Sequence, residues 1–191
     1  MKVETQAVID IETGGFSKSK NAIIEIAFVI TDIKNNVLDS FETIVKRYDQ
    51  ENGESMIYSS QAEEVHKISE EDQINKGKDP KEVCEKIEEF FKQYNVTYLV
   101  AHNARFDIDR LKIFFERFKS DHKIVFEDFF CTMKLAKERI HLDSYSLKSL
   151  CEFYEIKNKN EHRALSDVIA TNKVLKNLMN CTSQVFWRED Q

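Results

Sequence analysis

Proline, glycine and basic charge are all scarce in this chain. One residue of 191 is proline and four are glycine. No stretch is rich in Pro, Gly or Ser, so nothing reads as a linker or a low-complexity segment, and no internal repeat is present. Lys and Arg number 28 against 34 Asp and Glu, a formal net charge of −6. A protein that coats nucleic acid by bulk charge is thereby excluded, because non-specific binding draws on Lys and Arg contacts to phosphate. An enzyme that handles a nucleic acid end in a local pocket is not. The four cysteines (Cys84, Cys131, Cys151, Cys181) form no CxxC pair, which argues against a zinc ribbon or a thioredoxin-type site. Their low density points to a reducing compartment. The N-terminus carries no apolar signal-peptide core. The longest apolar run, Ala22 to Ile30, is interrupted by Glu25 and falls far short of the roughly 20 residues of a membrane span. The expectation is a soluble, cytoplasmic protein without a membrane partner.

What is present fits an ordinary globular domain, with 41% hydrophobic and 32% charged residues. At this length about 70% of the extended chain's surface is buried on folding, so one domain is expected over residues 1–180, followed by a C-terminal tail, 181–191. Ala7–Glu12, Ile23–Ile33 and Val37–Lys46 are rich in β-branched and aromatic residues and separated by polar breaks, predicting an antiparallel meander. Short helical pieces follow around Ser59–His66 and Ser69–Ile74. Asp79-Pro80 starts a helix running to about Tyr94. Thr97–Ala101 reads as a strand, then a helix capped by Asn103 and reaching Phe118. Lys123–Phe130 reads as a fifth strand. Helices over Thr132–Ile140, Ser146–Tyr154 and Ala164–Leu178 complete the chain. The order predicts an α/β protein, a mixed five-stranded sheet with helices on both sides.

Three groups of acids bear chemistry. On the first strand, side-chain alternation puts Val8, Asp10 and Glu12 on one face and Ala7, Ile9 and Ile11 on the other. Counting helical turns from Asp107 gives Leu111, Phe114 and Phe118, an apolar stripe, so this acid points toward the core. The same count from Asp167 gives Thr171, Val174 and Leu178. His162 falls on the loop before that last helix. Taken singly, a D-x-E pair, an acid at a helix start or a lone histidine is a commonplace. Together they can converge beside the central strand. Four carboxylates in one place cannot all ionise without cations. Hard oxygen donors select Mg²⁺ or Mn²⁺ over zinc, and two such ions about 4 Å apart clamp the attacking and leaving oxygens of a phosphodiester. A histidine beside such a centre can take a proton from water.

Asp10-Ile-Glu12-Thr13-Gly14-Gly15, then His102-Asn103-x-x-Phe106-Asp107, then His162-x-Ala164-x-x-Asp167 resemble the three motifs of the DEDDh (DnaQ-like) exonucleases, a family that includes the proofreading exonuclease subunit of bacterial DNA polymerase III and ribonuclease T. Ile23-Ile24-Glu25-Ile26 and Ser146-Leu147-Lys148-Ser149-Leu150-Cys151 agree with connecting stretches of that family, and the likeness covers about residues 6–178. The resemblance implies an RNase H-like fold and a two-metal-ion 3′→5′ exonuclease, using Mg²⁺ or Mn²⁺, that releases nucleoside 5′-monophosphates from single-stranded 3′ ends. DNA is preferred over RNA as substrate, with a DNA polymerase as a further partner. By position it assigns Asp10, Glu12, Asp107 and Asp167 to the metals and His162 to the general base. It assigns Thr13, Gly14, His66, Asn103 and Phe106 to the substrate, the glycine pair permitting close backbone approach. Gly14 departs from the small side chain many relatives carry there. Glu25 is not assigned to the metals. Lys18, Lys20, Lys67, Arg105 and Arg163 adjoin the motifs; each alone reads as solvated charge, and together as a local positive rim. Two readings stand beside this one: an RNA 3′-end-trimming exoribonuclease, and a non-catalytic module that grips 3′ ends or a polymerase.

Overall fold

Three runs rich in β-branched and aromatic residues near the N-terminus form the first strands, the first two buried on both faces and the third more exposed. The computed structural model describes residues 5–50, 52–118 and 129–180. β1 (Thr5–Thr13), β2 (Ile23–Asp32) and β3 (Val37–Ile44) form the expected antiparallel meander. β4 (Val96–Ala101) and β5 (Phe129–Cys131) then add in parallel, giving the order β3-β2-β1-β4-β5. β1 is therefore central. The fifth strand starts near the end of its expected span and runs on to Cys131; residues 123–128 of that expectation lie outside the described residues, as does the tail.

Seven helices are described: α1 (Ser60–His66), α2 (Glu70–Lys76), α3 (Pro80–Tyr94), α4 (Arg105–Arg117), α5 (Thr132–Arg139), α6 (Leu147–Phe153) and α7 (Ala164–Asn180). Pro80 occupies the first turn of α3, and the Asp79 side chain accepts the Lys81 amide, satisfying a donor the helix cannot. α3 and α4 cover one face of the sheet, over Ala7, Ile9, Ile11, Phe28 and Leu99. The Phe90 and Phe91 rings of α3 meet Phe28 edge-on at 5.6 and 5.2 Å. α5, α6 and α7 cover the other face, over Val8, Ala27, Val29 and Val100. The alternation read from β1 thus separates the two cores residue by residue.

The expected Asn103 cap is not formed. Asn103 sits at φ 61, in the left-handed region that Asn tolerates better than most residues. The chain turns sharply there between β4 and α4, Ala104 takes the cap position, and no side chain closes the helix start. Among the described residues Cys84, Cys131 and Cys151 are free thiols, and no helix is long and apolar enough to cross a membrane.

Candidate active site

The site forms where the parallel ladder between β1 and β4 runs out. Its register ends at Val8 opposite Val100, whereas β1 continues to Thr13. Beyond Val8 that edge of β1 has no strand partner. Asp107, in the first turn of α4 and 3% exposed, fills the gap, its carboxylate accepting the Ile11 amide. On the α7 side of β1 lie Asp10 and Glu12, and across the antiparallel register Glu12 faces Glu25 of β2.

The third element is the loop before α7. Asp167 accepts the Asn158 amide group on Oδ1 at 2.5 Å and the His162 backbone N–H on Oδ2 at 3.0 Å. The Ser166 hydroxyl donates to Asn158 Oδ1 at 2.6 Å, fixing that amide in turn. His162 is exposed, at φ 63. One donor atom each from Glu12, His162 and Asp167 lie within 4.8 Å of one another, a group that can hold a metal ion. The structure thus brings Asp10, Glu12, Asp107, His162 and Asp167 to one place, from one strand, two helix starts and one loop.

The electrostatics follow from that crowding. Burial holds the Asp10 carboxyl well above the usual carboxylate range, and repulsion from Asp107, Glu12, Asp167 and Glu25 adds to it. Glu12 is pushed up to about 8, by burial first and then by Asp167 and Glu25, with Arg163 opposing. Asp107 is raised by burial against the relief given by the Ile11 amide and Arg110. Asp167 is raised by burial despite its bonds to Asn158 and His162. A protein does not gather ionisable acids in this way without a penalty when all are charged, and a positive partner removes it.

Glu25 is fully buried and committed to the protein itself. Arg163 donates through Nε to both of its oxygens at 3.2 Å and through Nη2 to Oε1 at 2.6 Å, and the Ala164 amide donates to Oε2 at 2.8 Å. Arg163 is therefore half-buried in an ion pair and not part of a solvated rim. The rim is thinned further by Asp109, which pairs with Lys18 at 3.2 Å and Arg105 at 3.9 Å.

The residues expected at the substrate behave unevenly. Gly14 does permit a close backbone approach, but by the chain's own segment: an added Cβ would lie 2.3 Å from the Ile57 carbonyl oxygen. Its N–H donates to the Ala22 carbonyl, and its carbonyl accepts from Ser59 and the Asn21 side chain, so its backbone groups are engaged internally. The Thr13 hydroxyl donates to the Gly15 carbonyl at 2.8 Å. His66, 3% exposed, uses Nδ1 to accept the Ile68 amide at 3.0 Å. Burial lowers its pKa. One face of the Phe106 ring is covered by the Arg110 guanidinium, 3.5 Å from the centroid. His102 is fixed by Thr132 at 2.9 Å and the Tyr145 carbonyl at 3.0 Å, and burial lowers it to about 4. It acts as a neutral strut to the loop before α6.

Three participants were not singled out from the sequence as site residues. Asn158 orients Asp167. Arg110 is 6% exposed and holds the carbonyls of Phe106 and Phe16. Phe16, 93% exposed, stands on the loop directly after the β1 acids. An aromatic in an otherwise polar loop was the available signal for the last; the other two carry no local pattern.

The sequence profile of the RNase_T exonucleases matches residues 7–175. The PolC-type DNA polymerase III of Caldanaerobacter subterraneus subsp. tengcongensis is 32% identical over 182 residues, which is 93% of this chain and 12% of that protein. Its counterpart in Thermotoga petrophila is 31% identical over 172 residues, 89% of this chain and 11% of that protein. The chain thus spans about an eighth or less of these relatives. Among solved structures, E. coli exonuclease I in complex with a dT13 oligonucleotide superposes with a TM-score of 0.76 at 21% identity, covering 93% of this chain and 41% of that one. The zinc-bound form of the same enzyme with single-stranded DNA gives 0.72 at 21% identity, over 91% and 40%.

Proposed function

Because this chain belongs to the RNase_T exonuclease family and has its RNase H-like fold, we propose that it is a DEDDh-type 3′→5′ exonuclease that releases nucleoside 5′-monophosphates from single-stranded ends. The observation that carries this reading is the convergence of Asp10, Glu12, Asp107 and Asp167 with His162 at the open edge of β1. The donor set fits divalent cations. Its oxygens are hard, the acids raise one another, and Glu12 is pushed up to about 8 despite Arg163, which opposes that rise. Asp10, Glu12 and Asp167 would hold one Mg²⁺ or Mn²⁺, and Asp10 with Asp107 a second. Bound there, the ions would neutralise the acids and polarise the scissile phosphate.

The chain's own groups do the rest. His162, on an exposed loop beside Glu12 and Asp167, would take a proton from the attacking water. Asn158 and the His162 amide hold both oxygens of Asp167, so that carboxylate keeps one orientation while the reaction proceeds. Phe16, exposed on a loop that Arg110, Asn21 and Thr13 hold from below, offers a face to a terminal base; every base has a π-face, so the contact tolerates sequence. DNA is the preferred substrate, in keeping with PolC-type polymerases and a DNA-bound exonuclease among the chain's relatives and neighbours. The same likeness to PolC makes a DNA polymerase a fitting partner.

Hydrolysis of 5′-labelled single strands, DNA and RNA in parallel, tests this. The expected result is a one-nucleotide ladder with Mg²⁺ or Mn²⁺, stronger on DNA, and abolished by EDTA, Asp167→Ala and His162→Ala. An RNA-only ladder would make it an exoribonuclease, and tight binding without cleavage would make it a binding module.

A further inference from the structure

We propose that Glu25 is a positioning residue for hydrolysis, fixing His162 against Glu12 and Asp167 through the fork of Arg163. The inference rests on the exonuclease reading above for His162's role, but its structural content stands apart from it. Glu25 lies on β2, 138 positions from Arg163, and is completely buried. It binds the two residues that directly follow His162: the Arg163 guanidinium by three contacts of 2.6–3.2 Å and the Ala164 amide at 2.8 Å. A second carboxylate, Glu42, lies 3.6 Å from Arg163 Nη2.

Ala164 is the first residue of α7, so its N–H has no partner within the helix. Glu25 supplies one from another strand, with a charge that suits the positive helix end. The Arg163 carbonyl accepts the Asp167 amide at 3.0 Å, so the same anchor carries the first turn bearing Asp167. His162, just upstream, is a non-glycine residue at φ 63, a conformation that persists where its surroundings over-determine it. The clamp on its C-terminal side is Glu25; the clamp on its N-terminal side is Asn158, which accepts from Ser166 and donates to Asp167. Glu25 faces Glu12 across the β1–β2 register, so one strand pair sets both the acid and the loop that must meet it. A buried ion pair is weak evidence for stability, since apolar replacements of similar volume are often neutral. The bonds of Glu25 to Arg163 and Ala164 hold the backbone directly after the turn that presents His162.

The test separates placement from stability. In the full chain, Glu25→Met/Arg163→Met should keep the melting temperature within a few degrees while kcat on a 5′-labelled DNA strand with Mg²⁺ falls about 10- to 100-fold and KM stays within about twofold. The His162 amide, held by Asp167, should exchange about tenfold faster with solvent than in the wild type. A folded double variant with wild-type kcat and wild-type exchange overturns the proposal. Should that variant not fold, Arg163→Lys decides: it keeps the charge and removes the fork, and an undiminished kcat in it overturns the proposal equally. If the wild-type chain cleaves no strand, the exonuclease reading fails, and the His162 exchange rates alone decide whether Glu25 holds the loop.

Discussion

Raising the pH in the absence of divalent ions should destabilise this protein, and adding them should cancel the effect. Glu12 shifts from its ordinary 4.5 to about 8 in the folded state. A carboxyl whose folded pKa is raised binds its proton more tightly folded than unfolded. Its stabilisation is complete below the unfolded value and is lost as the pH climbs toward the folded one. Below about pH 6.5, the lowered pKa values of His66 and His102 act in the opposite sense, because the unfolded chain takes up those protons first. From about pH 6.5 to about pH 8 Glu12 alone costs about 1.6 kcal/mol, and the upper tail of the two histidine titrations returns at most about 0.8 kcal/mol of it. Asp10, raised by burial and by its acidic neighbours, adds to that loss. For a chain of this size the Glu12 share corresponds to a fall of about 3–6 °C in Tm. Differential scanning calorimetry in EDTA should show this fall, and Mg²⁺ or Mn²⁺, binding only the folded form, should flatten it. Glu12→Gln should melt higher than wild type at pH 8 in EDTA and gain less from the metal. A Tm that is level or rises across the window in EDTA, or a Glu12→Gln variant no more stable than wild type at its upper end, would refute the reasoning.

Three further outcomes follow from particular contacts. Asp107→Asn should leave the Ile11 bond possible but lower cleavage at least about 100-fold, with secondary structure intact by circular dichroism. Phe16→Ala should raise KM for a single strand about 5- to 150-fold, the equivalent of roughly 1–3 kcal/mol of stacking, while kcat changes little in steady-state assays. Gly14→Ala should destabilise by about 1–3 kcal/mol in urea titration, because the new methyl meets the Ile57 carbonyl oxygen at 2.3 Å.

The strands and the inward acids were legible because both rest on short-range periodicity. β1, β2 and β3 appear within a few residues of their predicted ends, since a strand buried on both faces, such as β2, must run apolar and a half-buried one, such as β3, must break that run with polar residues. Asp107 and Asp167 revealed themselves as the first members of helical stripes whose later members, Leu111, Phe114, Thr171, Val174 and Leu178, are buried. The resemblance to a known family then ordered these acids into one site. What stayed hidden depends on partners distant in sequence. Arg163 read as surface charge because its counter-ion is a strand residue 138 positions away. Gly14 read as a platform for substrate because nothing near it announces the backbone of Ile57. Asn103 has the side chain of a helix cap, yet the turn out of β4 demanded a left-handed residue there, and that demand prevailed.

The brevity of β4 also constrains how this fold can change. Six residues long against nine in β1, it leaves the Ile11 amide to a carboxylate where another strand residue would otherwise pair. A β4 extended by two or three residues would zip along β1, satisfy the same amide with its own carbonyl and displace Asp107 from the β1 acids. The sheet would be better hydrogen-bonded and the cleft would be closed. The turn from Ala101 to Ala104 is thus a place where two or three added residues would separate Asp107 from Asp10 and Glu12.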